Sequence, residues 1–402
     1  MAERRFRGRW GGEGVTPRAL RFRGRWGTER GTLRALRFGG RWRSEGGTPR
    51  ARRWFRALLA VLITAAVVGP LTAAAASPQI PAPAPADLAP VTAATLEKAY
   101  AANRANAALA ARMAAAHGDR HRAAADEGFA SPSRTLLAFD GRGQGRATEV
   151  FGDLAHADRV AILIPGSDTS LDTYARFRAG AAALYERLEG ESGAPGESGT
   201  GRESGMGRAS GPGRESGTGQ EAGTGRTSGA RTAVVAWLGY TTPGTVSATV
   251  ITPARADEAA PELREFLRGL RTLTGPDTHV SLLCHSYGTV VCGRAAPGLD
   301  VSDLVLLGSP GTGVDTVAGL RTRARVWAAR GADDWVADVP HVSVDLFGTT
   351  VGLGADPMSA SFGAHVFAAG AGGHSDYFRP GSAALANIAR IVLGETSEVT
   401  DA

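Results

Sequence analysis

The stretch VSLLCHSYGTVVCGRAA, residues 280–296, decides the fold. A mostly apolar run ends at Cys284 and a helical pattern begins at Gly288, so a very short turn joins a buried strand to a helix. Such a turn holds Ser286 in a strained conformation with its hydroxyl projecting. The residues two before and two after the serine must be small, because strand and helix come close there. Gly288 meets this requirement. In strand–turn–helix motifs of this kind the residue two before the serine is usually glycine. Here it is Cys284, whose side chain is small enough to be buried at that position.

Further apolar runs of strand length flank this stretch along the chain. They cover residues 160–166, 232–240, 304–311 and 325–331. Helical patterns lie near 171–188, 257–272, 288–296 and 382–393. Continuous apolar runs that alternate with helices are typical of parallel strands buried on both faces. The sequence therefore predicts an α/β fold, a three-layer sandwich built on a mostly parallel sheet.

A projecting serine becomes a nucleophile only when a base and an orienting acid accompany it. In strand–turn–helix serine sites the chain order is serine, acid, histidine. Asp334 follows the run that ends at Gly331, and His374 lies in a glycine-flanked loop before the last helix. We therefore predict that Ser286, Asp334 and His374 form a catalytic triad. Asp333 is the reserve acid, and His365 and His341 are less favoured as the base.

An oxyanion formed on a substrate would need two backbone amide donors. The first is the amide of Tyr287, directly after the serine. The second is the amide of Ser167, in the loop after the run 160–166, where Gly166 allows close approach of the backbone.

Four stretches carry a resemblance to a known family. They are LLAFDGRGQGRATEVFGDLAHADRVAILIPGSDTSL (136–171), TAVVAWLGY (232–240), LLCHSYGTVV (282–291) and ADPMSASFGAHVFAAGAGGHSDYFRPGSAALAN (355–387). Residues 91–395 resemble an actinobacterial branch of the α/β-hydrolase superfamily whose function is unknown. The resemblance implies an α/β/α sandwich with a triad of Ser286, His374 and Asp334, but no particular substrate.

The basic charge of the chain comes from its first 56 residues. These contain 17 Arg and 4 Glu with no Lys or Asp, so their formal charge is +13. Since the whole chain has a formal charge of +6, the remaining residues together carry −7. A 16-residue unit rich in Arg and Gly repeats here, with tryptophans at positions 10, 26 and 42. We expect residues 1–56 to be disordered. Because the rest of the chain is acidic on balance, we expect no nucleic-acid partner.

Residues 57–76 have the pattern of an export signal. Arg52, Arg53 and Arg56 precede the apolar run ALLAVLITAAVVG, after which Pro70 and a row of small residues follow. This order predicts either a secretory signal peptide or a membrane anchor, since the segment is just long enough to span a bilayer. A cleaved signal peptide predicts a secreted protein. An anchor predicts a membrane-associated protein whose remaining residues lie outside the cytoplasm.

The remaining segments complete the predicted organisation. Residues 77–90 are a solvated Pro/Ala linker, and residues 91–395 are the α/β-hydrolase domain. Within this domain, residues 91–125 form a helical segment and residues 189–231 a disordered Gly/Ser-rich insertion. Residues 396–402 are a tail.

These patterns predict an exported serine hydrolase. By analogy with the fold alone, we expect a carboxylic ester hydrolase that forms an acyl-enzyme on a small-molecule ester or acyl substrate. No metal or organic cofactor is implied. The alternatives are a peptidase or acyltransferase that uses the same triad, and a catalytically silent scaffold that binds a cell-surface ligand. Cys284 and Cys292 could form a disulfide in an oxidising compartment or remain reduced in the core. The sequence leaves the oligomeric state open.

Overall fold

The computed structural model describes residues 80–88, 90–192, 230–341, 343–346 and 349–402. The repeats of residues 1–56, the apolar segment 57–76 and most of the insertion at 189–231 lie outside the described residues. Within the part of the chain that is described, no helix combines the length and the apolar character needed to cross a membrane.

The centre of the fold is an eight-stranded sheet. The strands are β1 Leu136–Asp140, β2 Arg146–Phe151, β3 Arg159–Ile164, β4 Thr232–Leu238, β5 His279–His285, β6 Asp303–Leu307, β7 Arg325–Ala329 and β10 His365–Val366. They follow the spatial order β1-β2-β4-β3-β5-β6-β7-β10, and every neighbouring pair from β4 to β10 is parallel. Within this sheet, only β1–β2 and β2–β4 are antiparallel.

Helices lie on both sides of this sheet, and a small hairpin of β8 and β9 follows β7 in the chain. The helices are α1 Leu96–His117, α2 Arg120–Ala130, α3 Tyr174–Ser192, α4 Ala254–Thr274, α5 Gly288–Ala295, α6 Val317–Leu320 and α7 Ala383–Leu393. The hairpin strands are β8 Ser343–Leu346 and β9 Thr349–Gly352.

Alternate residues of the central strands enter two separate cores. On β3, Ile162 packs into one core together with residues of α4 and α5, whereas Leu163 packs into the other with residues of α3 and α7. Because both faces are covered, these strands are mostly apolar and carry polar residues mainly at their ends. The structure thereby confirms the predicted three-layer α/β class.

Several segment boundaries differ from the sequence-based expectation. The helical pattern at 91–125 divides into α1 and α2, because Gly118 adopts a left-handed conformation that ends the first helix. Residues 80–88 of the expected solvated linker lie against the domain, where the Asn106 side chain donates a hydrogen bond to the carbonyl of Ala84. The tail also contacts the sheet, through a bridge between Asp401 and Phe367.

Candidate active site

The turn between β5 and α5 holds Ser286 in the left-handed region, at φ 54°. Few residues other than glycine adopt this conformation, so local packing must stabilise it. The Ser286 amide donates to the carbonyl of Leu307 at 2.9 Å, and the Ser286 carbonyl accepts from the Thr289 hydroxyl at 2.7 Å. These bonds tie the turn to β6 and to the first turn of α5. The strained turn that the sequence predicts at Ser286 is present.

Two glycines allow the backbone to pack closely around this turn. A Cβ at Gly288 would lie 2.6 Å from the carbonyl oxygen of Pro165, and a Cβ at Gly166 would lie 2.5 Å from the Cβ of Ser286. Both distances are shorter than van der Waals contact permits. The loop after β3 therefore lies directly against the serine, as the proposed role of the Ser167 amide requires.

The backbone amides of Ser167 and Tyr287 are the two named as oxyanion donors. Within the described part of the chain, neither the Ser167 nor the Tyr287 amide donates a hydrogen bond to a protein acceptor. Tyr287 is anchored by its side chain instead, since its hydroxyl donates to the carbonyl of Thr252 at 2.8 Å. The N-terminus of α5 adds a partial positive charge beside the serine.

Cys284 and Cys292 form a disulfide that joins the end of β5 to α5. Both residues are fully buried. The cysteine that replaces the usual glycine before the serine is therefore part of a covalent link across the strand–helix contact. Of the two states that the sequence left open, the structure contains the oxidised one.

The side chains of Ser286, His374 and Asp334 meet at the carboxyl ends of the parallel strands. His374 Nε2 lies 2.7 Å from Ser286 Oγ, and His374 Nδ1 lies 2.9 Å from Asp334 Oδ1. The carboxylate fixes the ring proton on Nδ1, which leaves Nε2 free to accept the hydroxyl proton. Ser286 is 8% exposed and Asp334 is 2% exposed. This arrangement can transfer a proton from the serine to the histidine.

Burial alone would raise the pKa of the Asp334 carboxyl. Hydrogen bonds from His374, Tyr377 and the amide of Val336 outweigh burial and hold this pKa below its usual value. The carboxyl is therefore ionised at neutral pH, as a partner for an imidazolium must be.

The reserve residues lie in other contacts. Asp333 is exposed, and its amide donates to the carbonyl of Gly372. His365 belongs to β10 and packs on the ring of Trp327. His341 lies 3.8 Å from Asp356. Of the candidates weighed from the sequence, the structure brings only Asp334 and His374 together with Ser286.

Three residues at the site had no role in the sequence-based prediction. His285 Nε2 donates to the backbone carbonyl of His374 at 2.6 Å, and the two rings pack at 4.7 Å. Burial, together with the neighbouring His374, lowers the pKa of His285 to about 4. Tyr377 contacts Asp334, and Trp335 packs 4.7 Å from the His374 ring with 51% of its own surface exposed. His285 and Trp335 adjoin predicted site residues in sequence and Tyr377 lies three residues after His374, and that proximity was the only available signal.

Comparison with known proteins places the chain in a family. Residues 140–204 and 194–344, together just over half of the chain, match the model of a family described as alpha/beta hydrolase. The chain therefore belongs to the alpha/beta hydrolase family.

Its curated relatives include two uncharacterized proteins of Mycobacterium tuberculosis. One is 32% identical over 189 residues, which cover 40% of this chain and 29% of the relative. The other is 43% identical over 82 residues, which cover 20% of this chain and 30% of the relative. The chain thus matches less than a third of the length of each relative. Their uncharacterized status agrees with the expected branch of unknown function.

Similar solved structures include two hydrolases. An α/β serine hydrolase without a lid from Xanthomonas campestris is 17% identical, with a TM-score of 0.28 over 51% of this chain and 74% of its own. Esterase PE8 is 15% identical, with a TM-score of 0.35 over 61% of this chain and 97% of its own. These similarities are too distant to bear on the reaction.

Proposed function

We propose that this protein is an exported serine hydrolase that cleaves carboxylic esters through an acyl-enzyme. The observation that carries the proposal is the hydrogen-bonded series from Ser286 through His374 to Asp334 at the end of a strained turn. Serine sites in unrelated folds share this geometry. Membership of the alpha/beta hydrolase family supports the hydrolytic class.

The proposed reaction has two halves. Ser286 Oγ attacks the ester carbonyl while His374 Nε2 takes its proton, and the Ser167 and Tyr287 amides stabilise the oxyanion. The tetrahedral intermediate collapses to an acyl-serine, and His374 gives the proton to the departing alkoxide, which leaves as the alcohol. A water molecule then attacks the acyl-serine, again with His374 as base, and releases the carboxylic acid and free Ser286.

An exposed apolar side chain beside the triad favours a substrate with an apolar group. Trp335 packs on the His374 ring while half of its own surface is exposed. Few large apolar side chains of the described residues are exposed, so the position of Trp335 supports contact with a ligand.

Export is supported by two features of the chain. The segment 57–76 has the order of a signal or anchor, and the Cys284–Cys292 disulfide is typical of proteins in oxidising compartments. N-terminal sequencing of protein from the culture medium tests this proposal. A mature chain that starts near residue 77 would support a cleaved signal, and recovery only from the cytosol would contradict export.

A panel of 4-nitrophenyl esters of increasing chain length tests the activity. We expect the wild type to hydrolyse these esters, and the Ser286→Ala variant to fall by about 10⁶-fold in kcat. Ser281→Ala is the matched control, because it truncates another fully buried serine, five residues before Ser286 on β5 and outside the hydrogen bonds of the site. Equal hydrolysis by wild type and Ser286→Ala would contradict the proposal.

A further inference from the structure

The Asp334 carboxylate accepts hydrogen bonds from three donors. His374 Nδ1 and the amide of Val336 each lie 2.9 Å from Oδ1. The third donor is the hydroxyl of Tyr377, which contacts Oδ2. Because Asp334 is almost fully buried, these donors replace water around its charge.

The direction of the Tyr377 hydroxyl is fixed by a second contact. Its oxygen accepts a hydrogen bond from the amide of Gly331 at 3.1 Å. The single hydroxyl proton is therefore directed at the Asp334 carboxylate. Burial, and the neighbouring Asp334 charge, raise the pKa of Tyr377 well above its ordinary value. The hydroxyl thus remains a donor at any pH at which the enzyme would be assayed.

Tyr377 also connects the two loops that carry the acid and the base. It lies three residues after His374, while its hydroxyl contacts both Gly331 and Asp334 in the loop after β7. Its ring packs 5.6 Å from the ring of His285, which in turn holds the carbonyl of His374. A single buried side chain therefore connects the loop that carries the carboxylate to the loop that carries the imidazole.

We propose that Tyr377 is a positioning residue of this site: its hydroxyl fixes the Asp334 carboxylate and weakens the pull of that carboxylate on the His374 ring proton. This inference rests on the proposed function of the triad. A carboxylate that shares its charge with a further donor attracts an imidazolium less strongly. The hydroxyl therefore affects both the geometry of the acid and the pH at which the histidine becomes protonated.

Other charged or titratable groups face this cluster from each neighbouring element. His285 lies at the end of β5, and Arg330 follows β7 in an ion pair with Asp356 at 2.9 Å. Asp376, on the histidine loop, accepts from the amide of Gly373 at 2.9 Å, and Asp333 is exposed. None of these groups bonds to the Tyr377 hydroxyl, so removal of the hydroxyl leaves them in place.

The Tyr377→Phe variant tests the proposal, with Tyr100→Phe, another buried tyrosine on α1, as the matched control. For Tyr377→Phe we expect kcat to fall by about ten-fold with KM nearly unchanged, because a charge-assisted hydrogen bond is lost at the acid. The acidic limb of the kcat/KM profile should move to higher pH, since the histidine then holds its proton more strongly. A residue that only fills space would give neither change, because phenylalanine keeps the ring.

A spectroscopic measurement separates this proposal from that of ester hydrolysis. In protein with ¹⁵N-labelled histidine, the Nδ1 proton of His374 should give a far-downfield NMR resonance, because it bonds to Asp334. We expect this resonance to move in Tyr377→Phe and to stay in place in Tyr100→Phe. If the wild type cleaved no ester, the proposed function would fail, but a moved resonance would still support the role of Tyr377. An unmoved resonance, together with a pH profile that coincides with the wild type, would overturn it.

Discussion

At the scale of single residues, two adjacent aspartates follow β7 and only one of them faces the histidine. Asp334 is buried and bonded to His374, whereas Asp333 is exposed and contributes its amide to the neighbouring glycine loop. Both side chains have the same chemistry and nearly the same position in sequence. Their different surroundings make them a matched pair for testing which carboxylate orients the base.

We expect Asp334→Asn to lower kcat by about 10⁴-fold, because an amide at this position favours the wrong tautomer of the histidine. Asp333→Asn should change kcat less than about two-fold, since an exposed substitution away from the reacting atoms has little effect. Steady-state ester hydrolysis by both variants provides the measurement. If Asp333→Asn were the more damaging change, our assignment of the acid would be wrong.

At the scale of elements, the disulfide joins β5 to α5 across the turn that contains Ser286. The bond closes a short loop, so it removes conformational entropy from the unfolded chain. It also limits how far the strand end and the helix N-terminus can separate. The turn is therefore restrained by a covalent bond as well as by the hydrogen bonds of Ser286 and Thr289.

We expect the Cys284→Ala/Cys292→Ala double variant to be less stable than the oxidised wild type by about 2–3 kcal/mol, the value for a closed loop of this length. Urea denaturation measures this difference. A reductant should destabilise the wild type but leave the double variant unchanged. Equal unfolding midpoints for the oxidised and reduced wild type would contradict the role of the disulfide.

Sequence and structure agree where local pattern determines an element. The turn at Ser286 was predictable because an apolar strand changes to a helical pattern within three residues around a serine. The β1–β2 hairpin was missed because β2 contains Glu149, which looks like a surface residue in the sequence. In the fold this carboxylate is buried and paired with Arg134 and Arg178 from distant positions.

Contacts between residues that are distant in the chain also account for the part of the site that the sequence did not predict. Ser286, Asp334 and His374 follow a chain order that depends only on the succession of strands. Tyr377 contacts Asp334 because two loops that are distant in the chain come together in the fold. One loop carries Asp334 and the other carries His374, 40 residues later. No local pattern specifies this approach.

At the scale of the whole molecule, His285 should make stability depend on pH. Its folded-state pKa is about 4, below the ordinary value of 6.5. The unfolded chain therefore binds a proton first as the pH falls, so the contribution of His285 is fully present above pH 6.5 and is lost as the pH falls to about 4. Asp126 acts in the opposite sense, because burial raises its pKa to about 6 and its protonated form favours the folded state.

The comparison of wild type with His285→Gln isolates this effect, since glutamine keeps a donor but does not titrate. We expect the wild type to lose up to about 3 kcal/mol of stability relative to the variant between pH 7 and pH 4.5. Urea unfolding at four pH values in this range gives the difference, in which the contribution of Asp126 cancels. A constant difference would show that His285 is not held neutral by the fold.

The identity of the nucleophile is the central claim, and covalent labelling tests it most directly. A fluorophosphonate should react with the folded wild type, and mass spectrometry of its peptides should find a single adduct on Ser286. Ser286→Ala and His374→Ala should remain unlabelled, whereas Ser281→Ala should react like the wild type. An unlabelled wild type that is folded, or an adduct on a different serine, would contradict the account.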